Sequence, residues 1–369
     1  MNRRITVLGS RSLVIAAVVA LSACGGSSGS STASTDSVPT TDVASDVPVN
    51  PLLGTPLEDP TTATRPAMVV KIDNHPGARP QAGINQADII FEENVEKLTR
   101  YAAVFQSLGS DPVGPIRSGR FQDINLLGSL NKPLFVWSGG NSKVSAAIAK
   151  SDLTDLSYLK VNTDGGFKRS EDYKAPHNLF AETTKLWTLA PAGSSAPSTQ
   201  FAYRTVSDAN ASTSKEAIGL KVSMDGVKAQ WDWDATTKEW ARTQDGTPVV
   251  DTADVALSVP NVIVLEVEYT NSYSPISKTL GSGKAYVFTN GVMYEGTWTR
   301  TDRLKPFELK DSAGGVIKLT PGQTFVEVAR AGSWHDTRRV QIPVFQIRDF
   351  PELAYGSRKA GRYAYCYDY

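Results

Sequence analysis

The first 24 residues constrain this chain more than any other stretch. Arg3, Arg4 and Arg11 lead into the apolar run Leu13 to Leu21, which closes in Leu21-Ser22-Ala23-Cys24. The run is shorter than the about 20 apolar residues that cross a bilayer, so it reads as a secretory signal with a lipobox and not as a transmembrane helix. Small residues ahead of Cys24 give a lipoprotein signal peptidase access to the backbone, and the Cys24 thiol takes a diacylglycerol. Stable anchoring takes two or more acyl chains, which lipidation at Cys24, palmitate included, would supply. The expectation is removal of residues 1–23, lipid on Cys24, and a remainder that is extracytoplasmic and lipid-anchored to the cell membrane. No later apolar run reaches spanning length.

Composition narrows what that remainder can be. Apolar residues make up 40% of the chain and seven are Trp, enough for real cores. Lys plus Arg and Asp plus Glu balance at 38 each, which removes the bulk positive charge of a nucleic-acid binder. With Cys24 lipidated, Cys366 is the only thiol left, so no intramolecular disulfide forms and stability must come from packing.

Residues 24–64 are rich in Ser, Thr, Pro and Gly, and read as a disordered tether reaching roughly 35 Å. Its short apolar piece Pro51-Leu52-Leu53-Gly54 is the part able to dock. Residues 65–198 mix strand-like runs (67–72, 87–94, 100–106 and 134–137) with helical spacing at 120–130 and a helix capped by Asn141 that runs through Lys150. That mixture predicts an α/β sandwich, one sheet covered by helices. Residues 199–330 read as a smaller, mostly antiparallel β domain. Turn signals at Asp225-Gly226, Asp245-Gly246, Asn290-Gly291 and Pro321-Gly322 separate its strands, and Trp231, Trp233, Trp240 and Trp298 are read as core. The fold class is thus α+β. Residues 331–369 are a C-terminal extension, with Tyr363, Tyr365, Tyr367 and Tyr369 alternating like an edge strand or tail.

Several separate motifs carry a family resemblance. The segment Ala67 to Gln81 with Gly83, then Gln86 to Glu92, Val113 to Arg120, Gly139-Gly140 and Ala175 to Leu179, resembles the YerB-like lipoproteins. So do Lys284 to Phe288 with Asn290-Gly291, Glu295 to Trp298, and Leu319 to Phe325. The resemblance spans about residues 57–330 and implies a lipoprotein built from the N- and C-terminal DUF3048 domains, whose function is unassigned. It brings no activity, cofactor or catalytic residue with it.

The chemistry must therefore be read from the residues. His75 and His177 are two of only three histidines, and both lie in Pro-marked loops beside Asn, in Asp73-Asn74-His75-Pro76 and Ala175-Pro176-His177-Asn178. If the loops meet, Asp73, His75 and His177 could bind a metal or pass protons. The alternative is that each His and Asn only ties down its own loop. No motif of metal-binding spacing is present, so neither metal nor cofactor is expected. Arg117-Ser118-Gly119-Arg120 leads into a helix, where N–H groups and two guanidinium forks form anion-binding equipment, with Arg79 as a third donor. The rival reading pairs those arginines with acids such as Glu92 or Glu93. Gly139-Gly140-Asn141-Ser142 lacks the ending of a P-loop, and no nucleophile motif surrounds Cys366.

The candidate ligand-binding set is Asp73, Asn74, His75, Arg79, Arg117, Arg120, His177 and Asn178. The favoured function is a module that binds an anionic cell-envelope ligand or partner protein, with no nucleic acid. The alternatives are an envelope hydrolase or transferase using His75 and His177, and a structural scaffold.

Overall fold

The structure, a computed structural model, describes residues 48–337, and the lipobox, Cys24, Cys366 and the alternating tyrosines lie outside them. Strand β1 (Met68–Asp73) is buried along its whole length, as its unbroken apolar run requires. β2 (Ile89–Val95) and β3 (Leu98–Phe105) form a hairpin, and β3 pairs antiparallel with β1. Helix α1 (Phe121–Leu126) covers the first part of the helical spacing at 120–130, and a 3-10 turn at Gly128–Leu130 ends it. β4 (Leu134–Trp137) returns parallel to β1. Asn141 then caps α2 (Ser142–Lys150), its side chain accepting from the Val144 N–H. β5 (Thr154–Ser157), α3 (Tyr158–Val161), the small hairpin β6 (Lys168–Arg169) and β7 (Leu179–Phe180), and α4 (Thr183–Thr188) complete the first half.

The second half contributes β8 (Lys215–Glu216), β9 (Gly219–Met224), β10 (Val227–Asp234), β11 (Glu239–Gln244), β12 (Thr247–Pro248), β13 (Ser258–Val259), β14 (Asn261–Val267), β15 (Gly281–Thr289), β16 (Val292–Arg300), β17 (Glu308–Asp311), β18 (Thr324–Arg330) and β19 (Trp334–Asp336). Asp245-Gly246 and Asn290-Gly291 turn their hairpins with both residues at positive φ, as the tight two-residue turn demands. The α+β class holds.

The two halves are not separate layers of structure. β18 lies parallel between β14 and β2, with Phe325 opposite both Val262 and Ile90, so one 11-stranded sheet runs across both. The division expected at residue 198 therefore does not interrupt the sheet. One face of this sheet, including Val70, Ile90, Tyr101, Val264 and Phe325, packs against the second sheet, from which Trp231 and Trp240 point inward. The opposite face, including Val69, Phe91, Phe135 and Val326, packs against Leu126, Leu130, Val144 and Ile148 of the helical side. Trp231, Trp240 and Trp298 are buried as expected, while Trp233 is only half-buried.

Two boundaries need correction. Residues 48–64, expected as tether, are packed: Leu52 is fully buried, and the buried Asn50 side chain donates to Gln106 Oε1 at 2.8 Å. Low overall hydrophobicity hid that one leucine and one asparagine suffice to dock the segment. The chain beyond 330 is also structured at first, because β19 adds antiparallel to β9.

The interface between the sheets is charged at its centre. Arg242 donates to Glu327 Oε1 at 2.6 Å and to Glu92 Oε2 at 2.5 Å, all three side chains fully buried. On the helical side Lys71 lies 2.7 Å from Glu93 and 2.8 Å from Asp123, again fully buried. Burial, and next Glu92, push Glu327 up to about 8. Burial likewise drives Glu93 up to about 8, against the pull of Lys71.

Candidate functional site

The C-terminal end of β1 builds the site. Asp73, its last residue, is buried and cannot leave its carboxylate unpaired. Oδ1 accepts from the His75 main-chain N–H at 3.0 Å, and Oδ2 meets His177 Nδ1 at 2.7 Å and Arg117 Nε at 3.0 Å. Arg117 arrives there because its segment runs beside β1: the Asp73 N–H donates to Pro115 O and the Arg117 N–H to Lys71 O. His75 caps the 3-10 turn Pro76–Ala78, with Nδ1 accepting from the Gly77 N–H at 3.0 Å. The rings of His75 and His177 stack at 4.1 Å between centroids and 8° between planes. Gly77 lies against this stack, since a Cβ there would stand 3.3 Å from His75 Nδ1 and 3.5 Å from His177 Cδ2. Burial, and then the neighbouring His177, pull His75 below the ordinary imidazole value, with Asp73 opposing.

The stacked rings form one wall of a cleft of about 870 Å³. Among the described residues its charged lining is Arg79, Lys168, Arg169 and Lys174 against Asp172. The cations come from two places: Arg79 from the loop after β1, and the rest from hairpin β6–β7 and the loop within it. Two of the four, Arg169 and Lys174, have no carboxylate within 4 Å among the described residues. Lys168 is 63% exposed and lies 3.8 Å from Glu182, Arg169 donates to Asn178 Oδ1 at 2.7 Å, and Lys174 has no carboxylate partner among the described residues. Arg79 reaches Asp245 at 3.4 Å on the rim and donates to Asn74 O at 2.9 Å. Tyr173, whose hydroxyl donates to Pro80 O, packs its ring 5.2 Å from Phe180 and gives the cleft an aromatic side.

Of the residues singled out from sequence, Asp73, His75, Arg117 and His177 form one hydrogen-bonded constellation, with Arg79 in the cleft beside it. Asn178 is adjacent, holding Arg169. Asn74 belongs elsewhere: it is buried, donating to Thr99 Oγ1 at 2.7 Å and Glu92 Oε1 at 3.1 Å. The expected pair of anion-binding arginines is corrected. Arg117 spends its Nε on Asp73, and Arg120 donates to Glu96 at 2.5 Å. The start of α1 is likewise closed, because the Arg120 N–H donates to Asp123 Oδ2. Internal carboxylates took these groups, as in the rival reading, although the acids are Asp73 and Glu96 in place of Glu92 or Glu93. Lys168, Arg169, Tyr173 and Lys174 were missed. Their signal was the basic density just before Ala175-Pro176-His177, masked by the interleaved Glu171 and Asp172. Among the described residues no cluster of His, Cys, Asp and Glu is suited to hold a metal ion.

Comparison with known proteins follows the same outline. Residues 52–196 match the N-terminal domain, and residues 220–326 the C-terminal domain, of a family described as protein of unknown function DUF3048. YerB of Bacillus subtilis (strain 168), described as a candidate lipoprotein, is 27% identical over 301 residues, which is 75% of this chain and 85% of that protein. The crystal structure of the Bacillus subtilis YerB protein superposes with a TM-score of 0.69 at 21% identity, covering 79% of this chain and 99% of that one.

Proposed function

This chain belongs to the DUF3048 family of YerB-like lipoproteins, and from that premise we propose that it is an extracytoplasmic module, held by lipid on Cys24, that binds an anionic ligand of the cell envelope. The observation that carries the reading is the charge of the cleft, four Lys and Arg side chains against one Asp. The ligand's anionic group sits between Lys168, Arg169 and Lys174, and Tyr173 offers its ring to the ligand's apolar face. Lys174 is the strongest single candidate because no carboxylate among the described residues competes for it.

Calorimetric titration with inorganic phosphate tests this. A charge-assisted hydrogen bond is worth about 1.5–3 kcal/mol, so Lys174→Ala and Arg169→Ala each weaken binding about tenfold or more, and added salt weakens it further. Phosphate binding that neither substitution touches would sink the proposal. The anchor is checked separately: metabolic labelling with a radioactive lipid precursor marks the natural chain and is lost in Cys24→Ala, whereas label persisting in that variant refutes Cys24 as the attachment point.

A further inference from the structure

The wall of the cleft carries more than charge. Asp73 Oδ2 also meets Arg117 Nε and has only lone pairs to offer, so the neutral His177 ring has its proton on Nδ1 and its lone pair on Nε2. His75 is fixed in the opposite tautomer, because the Gly77 N–H occupies Nδ1 and the ring proton is left on Nε2. Among the described residues neither Nε2 has a hydrogen-bond partner. The stacked rings thus set a base beside an N–H donor, both on the cleft.

We propose that the cleft hydrolyses a carboxylic ester of an anionic envelope compound, with His177 as general base, His75 as oxyanion donor and Asp73 as the positioning residue. The inference rests on the reading of the cleft as an anion site. His177 Nε2 takes a proton from water as the water oxygen bonds to the ester carbonyl carbon. The carbonyl π pair moves onto oxygen, which accepts from His75 Nε2–H. Collapse of this intermediate breaks the bond between carbon and the alcohol oxygen, and that oxygen takes the proton from His177. Ester and water become carboxylic acid and alcohol, and all three side chains regain their starting protonation.

Geometry selects this class over other hydrolyses. Phosphoryl transfer places the attacking and leaving oxygens roughly in line across phosphorus, whereas the two rings here are stacked face to face on one wall. Glycoside hydrolysis uses two carboxyl groups flanking the bond, but Asp73 is engaged by three donors and, among the described residues, Asp172 is the only acid lining the cleft. A planar carbonyl attacked from one side needs a base and an oxyanion donor near each other, as the stack provides.

The test uses the full chain in detergent micelles and the anionic ester mono-4-nitrophenyl succinate at pH 7.5, followed by nitrophenolate release. The natural chain exceeds an equal concentration of free imidazole by about 100-fold or more. His177→Ala falls to the imidazole level, and Asp73→Asn loses about 100-fold in kcat with little change in KM. Circular dichroism confirms that each variant is folded. Because a misfolded variant could mimic the loss, carbethoxylation of the natural chain gives a second measurement: His177 is modified faster than the exposed His335. A rate no greater than that of imidazole, a His177→Ala variant as fast as the natural chain, or slower modification of His177 overturns the inference. Phosphate calorimetry on the same samples separates the two claims: binding without turnover removes the hydrolysis and leaves the anion site, while turnover without phosphate binding removes the anion site.

Discussion

His75 shows how one residue's surroundings set its chemistry. Its ring is partly taken from water, lies on a second imidazole and accepts an N–H at Nδ1, so a second proton is unwelcome despite the nearby Asp73. Its folded value therefore lies below the ordinary 6.5. Between those two values the unfolded chain binds the extra proton, so this contribution to stability is full above pH 6.5 and is lost as pH falls through the folded value. Histidine ring NMR should show the His75 midpoint below 6.5, and lower still in Asp73→Asn, where the opposing charge is gone; a midpoint above 6.5 would contradict the stack. Much of this constellation was legible in the sequence, because Pro and Asn beside a rare histidine mark an ordered loop. The fate of Arg117 was not. A guanidinium four residues before a helix start looks the same in sequence whether it faces a ligand or a buried carboxylate, and only the strand pairing that sets Arg117 beside Asp73 decides it.

At the level of elements, the local pattern was a good guide and the partnering was not. The runs at 67–72, 87–94 and 134–137 became β1, β2 and β4, and the Asn141 cap fixed the start of α2. The turn dipeptides marked their hairpins because a positive φ at both residues leaves few side chains eligible. β18 is the counterexample. Its sequence Thr-Phe-Val-Glu-Val-Ala-Arg is plainly a strand, but nothing local says that it inserts between β14 and β2 from more than 200 residues beyond β2. A purely antiparallel reading of the second half misses it, since both of its pairings are parallel and parallel neighbours need a long connection. The same holds for hairpin β6–β7, whose two-residue strands are too short to show alternation, although the loop between them carries the cleft's unneutralised Lys174.

For the whole molecule, the two buried triads are the decisive electrostatic feature. Each sets one cation against two carboxylates away from water: Arg242 with Glu92 and Glu327, and Lys71 with Glu93 and Asp123. A buried net negative charge is costly, so each triad retains one proton, consistent with Glu327 and Glu93 both pushed up to about 8 by burial. Acids whose folded values exceed the unfolded 4.5 make the native state the better proton binder between about 4.5 and 8. The triads' contribution to stability is then greatest at the acid end of that window and declines as pH rises, at up to about 1.4 kcal/mol per pH unit for each such proton, while His75 opposes it below pH 6.5. Surface acids with lowered values, such as Asp208 and Asp311, titrate below this window and do not offset the decline. Glu327→Gln isolates the effect. The amide oxygen keeps the acceptor role toward Arg242 and Trp231, and the amide nitrogen replaces Oε2, which has no hydrogen-bond partner among the described residues. Calorimetric unfolding should show the natural chain losing melting temperature from pH 5 to pH 8 and Glu327→Gln losing less, with the two close at pH 5. Equal losses in both would mean that the proton is not held at the Arg242 triad. Because that triad joins β11 of the small sheet to β2 and β18 of the large one, its proton bears on how the two sheets stay together.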